Sequence, residues 1–170
     1  MPITHADTLG AYVDNPATGV SKTDWTADHV LTFVGAKAYA TSTQAVTLNT
    51  ETPVLFDSEE FDTSAFHDTG SNTSRFTVPA GLAGKYRMQA GGILNVTGGE
   101  VEFRKNGTTY IRGSGSGSAS GESIQNISAI EDLSVGDYVE LIVYLGSSVS
   151  IGHATLRQSQ MTMNIQYLGA

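Results

Sequence analysis

The sequence predicts an all-β fold, a sandwich of about ten short antiparallel strands. The chain of 170 residues contains 19 glycines but only 4 prolines and is rich in Thr, Ser and Val, as expected of short strands joined by tight turns. Most segments after residue 36 alternate apolar and polar side chains or are apolar throughout, and none has a helical period. Asn106-Gly107 lies between two such segments, which is a strong hairpin signal.

The predicted strands follow one another along most of the chain. Pro79 ends one of them, since proline has no N–H to donate to a ladder. Gly91-Gly92 predicts a bulge or a close backbone contact in another. Residues 161–167 alternate cleanly and form the last predicted strand. The full set comprises residues 45–48, 54–56, 74–78, 85–90, 101–104, 109–111, 124–133, 138–144 and 161–167.

Residues 138–144 are apolar on both faces of the predicted strand. Tyr138, Ile142 and Tyr144 share one face, and valine and leucine side chains share the other. The outer face of a strand in a lone two-sheet sandwich should be polar, so these three side chains require a second hydrophobic contact. Another subunit could supply it, and the alternative is a strand half covered by a loop of its own chain.

Residues 1–36 differ from the rest in having few strand signals. The capping-box variant Ser21-Lys22-Thr23-Asp24 predicts a short helix over residues 24–30. This segment has too few apolar residues to form a core of its own, so it must pack on something else. We therefore interpret residues 1–36 as an attachment arm and residues 37–170 as a head domain. The aromatic residues that would anchor the arm are Tyr12, Trp25 and Phe33.

Composition and charge exclude several classes of protein. Charged residues make up 15% of the chain and the net charge is -8, which argues against nucleic acid or anionic lipid as the main partner. The chain has no cysteine, so disulfides and cysteine metal sites are excluded. The N-terminus lacks the regions of a signal peptide, and no apolar run approaches the roughly 20 residues of a membrane span. We expect a soluble product, synthesised in the cytoplasm and not inserted in a membrane.

The acidic run at residues 57–62 is the strongest candidate for a metal site. It lacks the EF-hand spacing, and consecutive carboxylates on an extended chain point to opposite sides. A solvated loop is the favoured interpretation. The histidines have no metal-binding spacing and are interpreted as neutral surface or loop residues, with an axial histidine in a trimer as the alternative. They are His5, His29, His67 and His153, of which only His67 has an adjacent carboxylate, Asp68.

No motif in the sequence predicts catalysis, so we expect neither an enzyme nor a cofactor. A G-x-S-x-G elbow is absent. The carboxylate pairs Glu100 with Glu102 and Glu131 with Asp132 are better explained as exposed strand and turn positions than as a glycosidase pair. Residues 113–121 alternate glycine and serine, lack the P-loop lysine, and predict a long mobile hairpin loop.

Three ordered motifs give the chain a family resemblance. Residues 76–86 carry F-x-x-P followed by G-x-Y, residues 103–107 carry a K-N-G hairpin, and residues 133–139 carry L-x-x-G-D-x-V. In this order they resemble the C1q/TNF-like jelly-roll family, over residues 39–167. The resemblance implies a ten-stranded jelly roll and a tight homotrimer that serves as a binding head, with Tyr138, Ile142 and Tyr144 at the trimer interface. The motif positions are Phe76, Pro79, Gly84, Tyr86, Asn106, Gly107, Leu133, Gly136, Asp137 and Val139.

Residues 19–30 are similar to a segment of tail-fibre and other structural proteins of tailed bacteriophages. The resemblance implies a protein of the virion surface, made in the host cytoplasm. It is either a capsid decoration or head-fibre protein, docked by its arm on the major capsid protein or another virion protein, or a tail-fibre tip that binds a host glycan or protein. The short chain, without a long shaft, favours the first. A bacterial C1q-like adhesin is the third hypothesis.

Overall fold

The computed structural model describes residues 33–94, 99–116, 123–145 and 161–170, together with short strands at residues 2–3, 29–30 and 154–155. The chain divides into two compact units, Met1–Phe33 and Val34–Ala170. In the first unit, β1 (Pro2–Ile3) pairs antiparallel with β2 (His29–Val30). The predicted helix over residues 24–30 is therefore wrong at its last two residues, of which the β-branched Val30 favours a strand. Its other residues lie outside the described part of the chain.

The second unit contains two five-stranded antiparallel sheets. One has the order β10-β9-β12-β5, with β7 also paired to β12, and is called here the β12 sheet. The other has the order β11-β8-β14-β3-β6 and is called the β8 sheet. The strands are β3 (Gly35–Tyr39), β4 (Ala45–Val46), β5 (Thr52–Pro53), β6 (Ser58–Asp62), β7 (Arg75–Thr77), β8 (Gly84–Leu94), β9 (Gly99–Lys105), β10 (Thr109–Ser116), β11 (Ser123–Leu133), β12 (Tyr138–Tyr144), β13 (Ala154–Thr155) and β14 (Thr162–Gly169), and β13 pairs with β4.

The all-β prediction is confirmed, since the described residues form strands and turns without a helix. The core lies between the two sheets and is built from the alternate side chains that each strand turns inward. Strand β8 contributes Tyr86 and Met88, which are fully buried. Lys85, before Tyr86, and Arg87, between the two, are exposed. Each such side chain contributes about 1.5–3 kcal/mol by burial. None of the described segments forms a helix long and apolar enough to span a bilayer.

Strand β12 is buried on both faces, as its composition predicted. Its residues from Val139 to Val143 are buried, and only the terminal tyrosines are partly exposed. Val139, Leu141 and Val143 belong to the core between the sheets. Ile142, on the outer face, is 4% exposed within a single chain. The chain itself therefore covers this position, which is the alternative to a second subunit that the sequence left open.

The acidic run is a strand and not a loop. Strand β6 pairs with β3 in antiparallel register, with Phe61 opposite Lys37 and Ser58 opposite Tyr39. The loop prediction was wrong because the pairing partner lies about 20 residues away, where a local pattern cannot show it. Glu60 reaches back across this pairing to Lys37, whose Nζ lies 2.5 Å from Glu60 Oε2.

The loop predicted for residues 113–116 is wrong, and so is the bulge that was one of two alternatives for Gly91-Gly92. Residues 113–116, expected in a mobile loop, continue strand β10 and pair with β9, so that Gly113 lies opposite Glu102. The ladder is made by backbone groups, so glycine can take part in it. A Cβ at Gly113 would meet only the end of the exposed Tyr110 side chain. Gly91 and Gly92 pair with β11 in regular register and form no bulge.

Candidate binding site

The motif residues of the Asn-Gly hairpin and of the turn before β12 form one contact. Asn106 Nδ2 donates to Asp137 Oδ1 at 2.8 Å, and Asn106 Oδ1 accepts from the Tyr138 amide at 3.0 Å. Asp137 Oδ2 accepts from the Ser134 amide at 2.8 Å and lies 2.6 Å from Lys105 Nζ. The hydrogen bond from Asn106 and the Lys105 ammonium lower the pKa of Asp137 to about 2. Positive φ angles of 54° at Asn106, 74° at Gly107 and 83° at Gly136 make these turns possible.

The remaining motif residues hold the entry to strand β8. Phe76 and Tyr86 are fully buried, and the Tyr86 hydroxyl donates to the Leu82 carbonyl oxygen. Burial raises the pKa of Tyr86 to about 12. The Pro79 carbonyl accepts from the Leu82 amide at 3.3 Å, which closes the turn. Gly84 has a φ of 146°, and a Cβ there would lie 2.4 Å from the Gly169 carbonyl oxygen, so only glycine fits. These positions are structural.

His67 lies beneath the surface between strands β6 and β7. Its side chain is fully buried, so the surface alternative of the prediction is wrong, whereas its position in the loop agrees with the other alternative. Nδ1 lies 2.8 Å from Glu59 Oε1 and Nε2 lies 3.0 Å from the Thr73 carbonyl oxygen. Both partners are acceptors, so a proton on each nitrogen, or a proton shared with Glu59, is needed to satisfy the ring. The Phe76 ring packs on it with centroids 4.9 Å apart.

The loop at residues 63–74 is held by side chains that bond its backbone. Asp62 accepts from the Ser64 amide at 3.0 Å and from the His67 amide at 2.8 Å. Asp68 Oδ1 accepts from the amides of Gly70, at 2.8 Å, and Ser71, at 3.1 Å. Phe66, fully buried, anchors the loop in the core. The loop therefore has a defined shape without regular structure.

The loop and the neighbouring strands enclose a cavity of about 440 Å³ that opens to solvent. Its volume lies within the range of small-molecule sites. Ala65 provides exposed apolar surface, and Asp68, Asn72, Arg75 and Thr77 provide polar groups. Two of its lining residues, Ala65 and Asn72, have positive φ angles, 59° and 52°. Such conformations in residues other than glycine are uncommon and occur often at functional sites.

The Arg75 side chain is held in place by Glu140 and Tyr138 of strand β12. Its Nε donates to Glu140 Oε1 at 3.4 Å, and its guanidinium carbon lies 4.2 Å from the centroid of the Tyr138 ring. Glu140 is 6% exposed and also accepts from the Ser74 hydroxyl at 2.7 Å. Among the described residues, none accepts a hydrogen bond from the two terminal nitrogens of Arg75, which leaves them directed to a ligand or to water.

The outer face of the β12 sheet is covered by a second group of paired charges. Arg104 hydrogen bonds to both carboxylate oxygens of Glu51, and its Nε pairs with Glu102. The hydrogen bonds from Arg104 lower the pKa of Glu51. Glu102 is therefore already paired within the chain, which agrees with the expectation that Glu100 and Glu102 are not a glycosidase pair.

The carboxylates of the acidic run are likewise engaged by the protein. Asp57 Oδ1 accepts from the Thr41 amide at 2.6 Å, and hydrogen bonds from Ser42 and Thr41 lower its pKa to about 2. Glu59, Glu60 and Asp62 bond His67, Lys37 and the loop backbone as described above. The described residues contain no group of three metal-ligating side chains.

The predicted attachment and interface residues are placed only in part. Tyr12 and Trp25 lie outside the described residues, and Phe33 is 46% exposed. Tyr138, Ile142 and Tyr144 share the outer face of β12, as expected. Tyr138 packs under Arg75, and the Tyr144 hydroxyl lies 3.5 Å from Asn49 Oδ1. Their role in a trimer, and that of the arm in attachment, stay predictions.

The sequence alone did not identify Asn72, Arg75 or Thr77 as cavity residues. His67-Asp68 was noticed only as the one histidine beside a carboxylate. A usable signal was the density of turn-forming residues from Asp68 to Asn72 between two buried phenylalanines, which indicates a shaped loop. That Arg75 joins the same cavity depends on the pairing of β7 with β12, which no local pattern reveals.

The fold is similar to that of C1q and TNF domains of known structure. The globular domain of zebrafish complement 1qA protein has a TM-score of 0.64 and 13% identity, covering 81% of this chain and 98% of that one. Eiger TNF from S. frugiperda has a TM-score of 0.55 and 11% identity, covering 81% of this chain and 93% of that one. Murine APRIL at pH 5.0 has a TM-score of 0.57 and 10% identity, covering 81% of this chain and 100% of that one. No protein-family model and no curated protein sequence matches the chain. The C1q/TNF-like jelly-roll prediction is confirmed for the fold.

Proposed function

We propose that the chain is a non-enzymatic protein of the surface of a tailed-phage particle. In this proposal it is a homotrimeric capsid decoration or head-fibre protein, docked by its N-terminal segment on the major capsid protein or another virion protein. The observation that carries the proposal is the similarity of residues 19–30 to phage structural proteins, in a chain whose second unit has a C1q/TNF-like fold. Synthesis would take place in the host cytoplasm.

Attachment would rest on buried aromatic area, since aromatic side chains dominate interface energies. Tyr12, Trp25 and Phe33 are the aromatic residues of the N-terminal unit. We expect Trp25→Ala protein to decorate particles at less than about a tenth of the wild-type occupancy, for a loss of about 2 kcal/mol or more. Occupancy is measured by gel densitometry of purified particles mixed with wild-type or variant protein. Full occupancy by the variant would remove Trp25 from the proposed contact.

Antibody-gold labelling of intact phage particles in the electron microscope tests the location. Label over the head supports decoration. Label confined to the tail end contradicts it and supports a receptor-binding tip that recognises a host glycan or protein. The open polar cavity at residues 63–77 favours this second function, because a decoration protein needs no ligand site. Particles without any label would favour a bacterial adhesin.

A further inference from the structure

The cavity beside the loop at residues 63–74 contains polar groups that the protein itself does not satisfy. Asp68 uses one carboxylate oxygen for two backbone amides, and no described residue donates to the other oxygen. The terminal nitrogens of Arg75 likewise have no acceptor among the described residues. The Asn72 amide donates only to Ser71 Oγ, at 3.4 Å, and its oxygen accepts no bond in the described part of the chain. Acceptors and donors therefore stand side by side around one space.

The charged side chains around the cavity are mostly engaged within the chain. Glu59 hydrogen bonds to the His67 ring, and Arg75 pairs with Glu140. Asp68 has no cationic side chain within an ion-pair distance among the described residues. A negatively charged ligand would meet no excess of positive charge here, and the net charge of the chain, -8, disfavours it further.

A hydroxyl group donates one hydrogen bond and accepts others, so neighbouring hydroxyls complement a site that mixes carboxylate, amide and guanidinium groups. The exposed Ala65 adds apolar surface that complements the C–H face of a sugar ring. From these contacts we propose that the cavity binds one unit of an uncharged saccharide, with Asp68 accepting from its hydroxyls and Arg75 and Asn72 donating to them.

The frame of this cavity is fixed before a ligand arrives. Arg75 is held by Glu140, Ser74 holds Glu140 in turn, and the loop backbone is held by Asp62 and Asp68. Preorganised side chains lose little conformational entropy on binding, which raises affinity. All residues that line the cavity belong to the second unit, Val34–Ala170.

The test is NMR titration of ¹⁵N-labelled full-length protein with glucose, galactose, mannose and N-acetylglucosamine, and separately with glucuronate. We expect saturable shift changes in the amides of residues 65–77 with at least one neutral sugar and none with glucuronate. Asp68→Asn should weaken that binding about tenfold, as expected for a lost hydrogen bond to a charged group. Asp132→Asn, which alters an exposed carboxylate paired with Lys85 outside the cavity, should leave it unchanged.

Thr77→Val provides a second variant that removes a hydroxyl from the cavity lining with little change in shape. We expect a loss of affinity of about threefold to tenfold from it. Absence of saturable shifts with all four neutral sugars would overturn the proposal, as would shifts that map outside residues 65–77. Binding of glucuronate in preference to the neutral sugars, or equal affinity in Asp68→Asn and wild type, would do so too.

Discussion

Glu59 and Glu60 are adjacent carboxylates whose partners differ in burial. Glu59 lies 2.8 Å from the fully buried ring of His67, whereas Glu60 pairs with Lys37, which is 34% exposed. Glu59→Ala leaves a buried ring nitrogen without a partner, so we expect a loss of about 2 kcal/mol in the free energy of unfolding. Glu60→Ala should cost less than about 1 kcal/mol, because exposed ion pairs contribute little. Urea unfolding of both variants measures the difference, and equal losses would contradict the role assigned to His67.

The lowered pKa of Asp137 predicts that the protein loses stability in acid. The Asp137 pKa is about 2 in the folded chain against 3.8 for an unperturbed aspartate. A group with a lowered folded-state pKa stabilises the fold above its unfolded pKa, and this contribution is lost as the pH falls from about 4 to about 2. We expect Asp137→Asn to be less stable than wild type by on the order of 1 kcal/mol at neutral pH. It should also lose less stability on acidification.

Urea midpoints of the wild type and of Asp137→Asn, measured at neutral pH and at about pH 2.5, give the stability that each protein loses on acidification. Asp132→Asn is the control, since Asp132 is an exposed residue that pairs with Lys85 in strand β8. Because Asp57 also has a pKa lowered to about 2, by the hydroxyl of Ser42 and the Thr41 amide, acid should still destabilise the Asp137→Asn protein in part. If Asp137→Asn loses as much stability on acidification as the wild type, Asp137 does not cause the acid-dependent loss.

At the scale of strands and turns, the glycines divide into two kinds. Gly84 and Gly81 both have positive φ, 146° and 81°, but a Cβ at Gly84 would lie 2.4 Å from a carbonyl oxygen, while a Cβ at Gly81 meets nothing within 4 Å. Gly81→Ala should therefore cost only the backbone strain, about 1 kcal/mol. We expect Gly84→Ala to cost about 3 kcal/mol or more, because β8 must separate from Gly169.

Thermal or urea unfolding of the two glycine variants measures this contrast. Similar losses in both would mean that Gly84 is required for its backbone angle and not for the close approach to Gly169. The comparison is matched, since Gly81 lies in the turn before strand β8, Gly84 is the first residue of that strand, and both change by the same methyl group.

The strands that sequence reasoning identified correctly are those whose signals are local. Asn106-Gly107 marks a hairpin because its backbone angles suit a tight turn, and β12 is recognisable from its continuous apolar run. The acidic run and residues 113–116 were misassigned because their composition is typical of loops. Only pairing with distant strands makes them extended, and that information is absent from any short window.

The candidate site also combines features that local sequence predicts with features that depend on distant residues. The loop at residues 63–74 carries visible turn chemistry, so its existence could be expected from sequence. Its cavity could not, because Arg75 enters it through the pairing of β7 with β12, and its lower surface depends on Glu140, 65 residues away. A buried carboxylate is also improbable from composition alone.

At the scale of the whole molecule, trimerisation would make stability depend on concentration. If the folded chain is a trimer, its thermal midpoint should rise with protein concentration by mass action. We expect a measurable increase over about a hundredfold range of concentration in scanning calorimetry, and a trimer mass in sedimentation equilibrium. A monomer mass together with a constant midpoint would contradict the homotrimer.

The position of the trimer axis can be tested by two substitutions. Ile142 is already covered within one chain and Tyr144 remains partly exposed, whereas Ile130, on the outer face of the β8 sheet, is 63% exposed. An apolar side chain left in water provides more free energy on association than one already buried. We therefore expect Ile130→Ser to lower the trimer fraction more than Tyr144→Ser, for a difference of about 1 kcal/mol. The opposite order would favour the face of Tyr138, Ile142 and Tyr144.

The loop at residues 63–74 also determines how easily recognition could change. Its shape depends on Asp62, Phe66, His67 and Asp68, while Thr69 and Ser71 are exposed. Gly70 and Ser71 donate their backbone amides to Asp68, and every residue except proline has such an amide. The Ser71 hydroxyl adds only a 3.4 Å contact with the Asn72 side-chain amide. Even Gly70 leaves ordinary room for a side chain, since a Cβ added there would lie 3.5 Å from Asp68 Oδ1. Three consecutive positions at the rim can therefore diversify at little cost in folding, as the hypervariable residues of an antibody loop do on a constant framework.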